Sequence, residues 1–113
     1  MSRPYELADR TYLFASEVRT LIRSLKYNLQ NQEDGKQVIR SSGSVGANYI
    51  EANENLSDKD FVFRLRICKK EAKESAYWLR LLKENNVNIS GFDPLIDEAI
   101  QLKLIFNSII SKK

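Results

Sequence analysis

The chain has 113 residues, of which 42% are hydrophobic, 29% charged and 10% aromatic, with a formal charge of +3. That is enough for one domain around one modest core, and it excludes a chain disordered by composition. There is no histidine and a single cysteine, Cys68. These two facts exclude histidine-dependent triads, imidazole proton shuttles, Glu-x-x-His di-iron sites, thiolate zinc sites and an intrachain disulfide. The four glycines form neither a dinucleotide loop nor a Walker-type phosphate loop. Carboxylate-only magnesium or calcium sites stay open, but no EF-hand loop supports one. The reading is therefore of a non-enzyme with no catalytic residue, no cofactor, no metal and no small-molecule substrate. No apolar run approaches the ~18–20 residues of a membrane span, and the opening MSRPYELADR has no secretory-type apolar stretch, so a cytoplasmic location is expected.

Apolar residues recur at spacings of three and four along four stretches, the helix signature. The first helix is expected over about 4–29, with a stripe of Leu7, Thr11, Phe14, Val18, Leu21 and Leu25. Pro4 suits its first turn, where no amide hydrogen is needed. The polar run QNQEDG (30–35) is expected to end it. The second helix, about 36–56, carries Val38, Ser42, Val45, Tyr49, Ala52 and Leu56. Gly43 and Gly46 fall inside it at a cost of about 1 kcal/mol each against alanine. Val38 and Ser42 keep the register of Val45, so the helix is read as continuous, with the glycines available for a close helix–helix approach. Gly43-Ser44-Val45-Gly46 also spells the GxxG of a KH loop, but that fold needs a sheet and no stretch alternates with period two.

The third helix, about 58–84, carries Phe61, Leu65, Cys68, Ala72, Ser75, Leu79 and Leu82, with Ser57 as N-cap and Asp60 three residues on. The fourth, about 94–112, follows the break ENNVNISG (84–91) and carries Leu95, Ala99, Leu102, Phe106 and Ile109, with Asp93 as N-cap and Pro94 at the first helical position. Four amphipathic helices of about 20–28 residues with short connections predict an all-α, single-domain, antiparallel up-and-down four-helix bundle over 1–113.

Three surfaces lie off the core stripes. Opposite the stripe of the third helix stand Lys59, Val62, Arg66, Lys69, Lys70, Lys73, Tyr77 and Arg80, with no acid among them. Residues 57–84 hold eight basic and five acidic residues, and the remainder balances, so the excess charge sits on this helix. Arg19, Arg23 and Lys26 add a smaller basic row on the first helix. A helix that is merely solvated usually mixes signs; an acid-free stripe fits phosphate tracking, and the nine cations are candidate nucleic-acid contacts. On the fourth helix, Ile96, Ile100 and Leu104 form a second apolar row, which points to self-association. Ser41, Ser44, Asn48, Glu51 and Asn55 line one flank of the second helix, and Ile67, Glu71, Glu74, Trp78 and Leu81 one flank of the third. The carboxylates beside Trp78 need cationic or amide partners and read as a register-fixing cluster, not an acid–base pair. Cys68 reads as a small core filler.

The run from Ser44 to Leu82, SVGANYIEANENLSDKDFVFRLRICKKEAKESAYWLRLL, resembles the bacterial four-helix-bundle family of the 23S rRNA intervening sequences. That family's pattern is roughly S-[IV]-x-x-N-x-x-E, a polar link, then F-x-x-x-L-x-I-[AC]-x-x-[SE]-x-x-E-[LS]. Ser44, Asn48 and Glu51 match the first half, and Phe61, Leu65, Ile67, Cys68 and Glu74 the second. Where the family often has Glu-Gly, this chain has Glu51-Ala52. The resemblance implies an up-and-down bundle and a ring-like homo-oligomer, commonly a pentamer, and it offers no catalytic residues. The accessory protein of diversity-generating retroelements, a basic pentamer that works with a reverse transcriptase and RNA, is related to it. Ser44, Asn48, Glu51 and Glu74 are accordingly expected to be structural. The combined expectation is a homo-oligomeric helical scaffold that binds RNA or an RNA–protein complex, the alternative being a protein-interaction scaffold with no nucleic-acid role.

Overall fold

The computed structural model describes residues 4–54 and 57–113, the side chains of residues 4 and 5 excepted. It contains α1 (Pro4–Arg23), α2 (Leu29–Asn53), α3 (Asp58–Glu84) and α4 (Phe92–Ser111), and no strand among the described residues. Each helix packs along its two neighbours around the bundle, whereas the backbones of the diagonal pairs α1/α3 and α2/α4 stay apart and meet only through core side chains, as Tyr49 of α2 meets Phe106 of α4 at 6.0 Å between ring centroids. Cross-helix partners run in opposite directions: Asn31, Arg40, Ser41 and Asn48 of α2 meet Asn86 beyond α3 and Glu74, Ser75 and Arg64 within it. The result is an antiparallel up-and-down bundle 45 Å long and 24 × 19 Å across.

The expected stripes form the core. Leu7, Phe14, Val18, Val38, Val45, Leu65, Cys68, Leu79, Leu82, Leu102 and Phe106 are all but inaccessible. Leu25, Phe61 and Ile109 are half-buried at its margins, and Leu56 lies outside the described residues. Ser57 caps α3 as expected, its hydroxyl accepting from the Asp60 amide at 3.1 Å.

Two boundaries differ from the expected ones. α1 ends at Arg23, not near residue 29, and QNQEDG lies inside α2, which begins at Leu29. Asn28 is the N-cap, its Oδ1 accepting from the Asn31 amide at 2.9 Å. Gly35 is a packing residue there, not a breaker: a Cβ would stand 3.2 Å from Ile22 Cγ2 of α1. The turn is held by a reciprocal amide pair, Asn31 with Asn86, at 3.1 and 2.8 Å, which ties it to the end of α3. Similarly, Asp93 is not the cap of α4. Gly91 occupies that place at φ 107°, a left-handed conformation suited to glycine, and this swings Phe92 into the core as the first helical residue. Asp93 sits in the first turn and pairs with Lys83 at 2.6 Å.

α2 is continuous through Gly43 and Gly46, so the GxxG run is helical. Both glycines face α1. A Cβ on Gly46 would stand 2.9 Å from Thr11 Oγ1 and 3.3 Å from Thr11 Cβ, and Thr11 is buried with its hydroxyl bonded to the Ala8 carbonyl. The other side of α1 is tied to α4 by a two-pronged bond from Arg10 to Glu98, at 2.7 and 2.9 Å, which holds the guanidinium pKa above its ordinary value. Gly46→Val is expected to lower stability by about 1–3 kcal/mol through overpacking against Thr11, read as a drop in urea midpoint. Ala47→Val, on the exposed neighbour, is expected to cost only the few tenths of a kcal/mol due to helix propensity.

Candidate nucleic-acid interface

Packing α3 against both α2 and α4 turns its remaining face to solvent. Along that face Lys59, Phe63, Arg66, Lys70, Lys73, Tyr77 and Arg80 succeed one another at alternating spacings of four and three, all exposed. At 1.5 Å per residue this seam is about 31 Å long. None of its five cations belongs to an ion pair among the described residues. Glu71 and Glu74, in the middle of α3, face Arg40 of α2, and the other acids of the helix lie at the ends of the seam: Asp58 pairs with Lys113 at 3.6 Å and lines a depression with Lys59 and Arg66, Asp60 lies in the first turn, and Glu84, four residues past Arg80, is exposed and lines a groove with it.

The other candidate cations are dispersed. Lys69 is half-buried on the α4 side, donating to Asn107 Oδ1 at 2.9 Å. Arg19 does not face outward. Its guanidinium donates to the Ala15 carbonyl at 3.0 Å and the Ile39 carbonyl at 3.2 Å, filling the space over Gly43. Arg23 is exposed and bonded to Thr20 Oγ1, and Lys26 lies in the α1–α2 connection. All three belong to α1 or its end, diagonal to α3, so they do not extend the seam.

Phe63 was missing from the expected stripe. It is 59% exposed, and Tyr77 55%. Its signal was available in the run Phe61-Val62-Phe63: helix geometry lets only one of two residues spaced by two face the core, and Phe61 is the one packed there. Tyr77 is held from behind. Its ring meets Trp78 edge-on at 5.0 Å and 76°, Trp78 Nε1 donates to Glu74 Oε2 at 3.1 Å, and Arg40 Nη2 donates to the same oxygen at 2.9 Å. Glu71 is buried nearby, its Oε1 unbonded and 3.9 Å from Arg40.

The family-matched polar residues do not form one cluster. The Ser44 carbonyl accepts from Asn48 Nδ2, and Asn48 Oδ1 accepts from Arg64, bracing α2 on α3. Glu74 joins the separate Arg40–Trp78 group, and Glu51 is exposed. On α4, Ile96 is packed against the core, whereas Ile100 and Leu104 stay largely exposed. Ile96 and Ile100 line a groove with Tyr77 and Arg80, so the apolar row borders the seam. No group of three metal-capable side chains occurs among the described residues, and no helix there is long and apolar enough to cross a membrane.

An up-and-down four-helix bundle with a cationic seam on its third helix is the class defined by this geometry. The chain belongs to the 23S rRNA-intervening sequence protein family, whose model matches residues 4–108. Among solved structures it is similar to a protein of unknown function from the S23 ribosomal protein family of Bacteroides thetaiotaomicron VPI-5482. The two are 30% identical with a TM-score of 0.79, over 92% of this chain and 97% of that one. No curated protein matches.

Cys68 takes no part in the surface. Burial pushes its thiol up to about 12, and its Sγ points at the Val45 carbonyl, 3.3 Å away. An unfolded thiol ionises near 9, so the buried thiol's contribution to stability is complete below that pH and is lost as pH climbs from 9 towards 12. The native protein at pH 8 is expected to resist a thiol reagent until urea unfolds it. Its urea midpoint should fall above pH 9, and less steeply in Cys68→Ala.

Proposed function

We propose that this protein is a non-catalytic, homo-oligomeric helical scaffold, acting in the cytoplasm, that binds RNA or another nucleic acid through the α3 seam. The observation that carries this reading is the seam itself: five exposed cations on one helix face, free of ion pairs among the described residues. Phosphates are the complementary ligand. Each one neutralised releases condensed counterions, so affinity falls steeply with salt and depends little on sequence. A family name that refers to 23S rRNA agrees with an RNA partner.

Five charges on one chain make a weak contact. Self-association multiplies it, and the exposed Ile100 and Leu104 beside the groove supply apolar surface for such a contact. In a closed ring, such as the pentamer expected from the resemblance, several seams engage one long polyanion, and the effective concentration of the second and later contacts replaces intrinsic affinity.

Filter binding of a mixed RNA pool is expected to give micromolar affinity at low salt, falling by orders of magnitude toward 200 mM. Lys70→Glu with Lys73→Glu should abolish the complex, whereas Arg23→Glu, on the diagonal helix, should leave it within about twofold. Absence of a complex at low salt, or retention in the double variant, refutes the reading. Light scattering should return a mass several times 13.1 kDa; a monomer at tens of micromolar overturns the oligomeric part.

A further inference from the structure

Within the seam the cations are bracketed by two rings. Phe63 follows Lys59, Tyr77 precedes Arg80, and Arg66, Lys70 and Lys73 lie between. Both rings are more than half exposed on a face where every other position is charged. They are fourteen residues apart, about 21 Å along the helix, or roughly six base steps at ~3.4 Å. The Tyr77 ring is braced through Trp78 and Glu74 to Arg40 of α2, so it is fixed before any ligand arrives. Phe63 lines a surface depression with Asp58, Lys59, Val62 and Arg66 and, from α4, Ile110 and Lys113.

We infer that the seam's ligand is a nucleic-acid strand with unpaired bases, its phosphates held by Arg66, Lys70 and Lys73 and a base stacked on each of Phe63 and Tyr77. This deepens the nucleic-acid reading above and rests on it. A duplex offers phosphates to such a surface but keeps its base faces inside the stack, where neither ring can reach them. An unpaired strand offers both, and every base has a face that an aromatic ring can cover. Two exposed rings flanking a cationic run therefore select for strandedness without selecting for sequence. The polar chain from Arg40 through Glu74 and Trp78 acquires a role here: it positions Tyr77 and does not touch the ligand.

The test uses the intact protein at low salt with three probes of equal length, a 12-nucleotide RNA without self-complementarity, the same sequence as DNA, and the RNA duplex. Both single strands are expected to bind at least tenfold more tightly than the duplex. The fluorescence of Trp78, the chain's one tryptophan, is expected to change with the strands and not with the duplex. Phe63→Leu and Tyr77→Leu keep an apolar side chain but remove the ring. Each should weaken strand binding by about tenfold and leave the duplex within twofold, with the salt slope unchanged because no charge is lost. Equal binding of strand and duplex, or leucine variants that bind the strand like the parent, overturns the inference, and the parent reading then survives if Lys70→Glu with Lys73→Glu still abolishes both complexes. Failure of all three probes to bind at low salt overturns both.

Discussion

The close contact of α2 with α3 is the constraint from which the remaining geometry follows. At its centre the Ser41 and Ser75 hydroxyls meet at 2.8 Å, both fully buried, with Ser75 also bonded to the Glu71 carbonyl. Cys68 lies against the Val45 carbonyl two turns away, with Ala72 between. Small side chains let the two backbones approach, and the hydroxyls satisfy each other where water is excluded, so closeness carries no unpaired polar group at this point. A larger residue at Ser41 or Ser75 would push the helices apart. Once α3 is pinned by this row, its rotation is set, and the residues opposite Cys68, Ala72 and Ser75 have nowhere to point but outward.

Charge is then sorted by the same rotation. Glu71 and Glu74 are drawn to the α2 flank, where Arg40 answers them, and the acids at the ends of α3 are partly taken up by Lys113 and the helix terminus. The middle of the outer face is basic at an ordinary net charge, because Glu71 and Glu74 are drawn to α2 and the remaining acids of α3 lie at the helix ends. The cations of α1 obey a different constraint. Arg19 covers the gap left by Gly43, and the diagonal placement of α1 keeps Arg23 and Lys26 away from α3.

Much of this was legible in the chain. Core stripes on all four helices, the Ser57 cap and the continuity of α2 through two glycines follow from periodicity and local chemistry. The α1–α2 turn did not, because five polar residues and a glycine outweighed a single Asn28 cap. The deciding fact is tertiary: Gly35 must pass Ile22, and Asn31 must reach Asn86, fifty-five residues away. The start of α4 failed for a related reason. Asp93-Pro94 is a good local signal, but burying Phe92 requires the backbone to reverse one residue earlier, and Gly91 allows it. For the candidate surface, the cations were readable by elimination, whereas the sharing of α1's cations with backbone carbonyls was not. Phe63 was hidden by its type, since an aromatic residue two steps from the core positions Phe61 and Leu65 looks like core.

The spacing of the seam has a geometric consequence. Its seven positions repeat every 3.5 residues, while the helix turns every 3.6, so the row drifts by about 20° per heptad, or roughly 60° from Lys59 to Arg80. The row therefore does not run straight along the helix. It starts beside Phe63, crosses the outer surface of α3 at Lys70, and ends on the α4 side, where Tyr77 and Arg80 share a groove with Ile96 and Ile100. At that end the cationic row borders the exposed Ile100 of α4, and the acids Glu84 and Asp93 line the same groove.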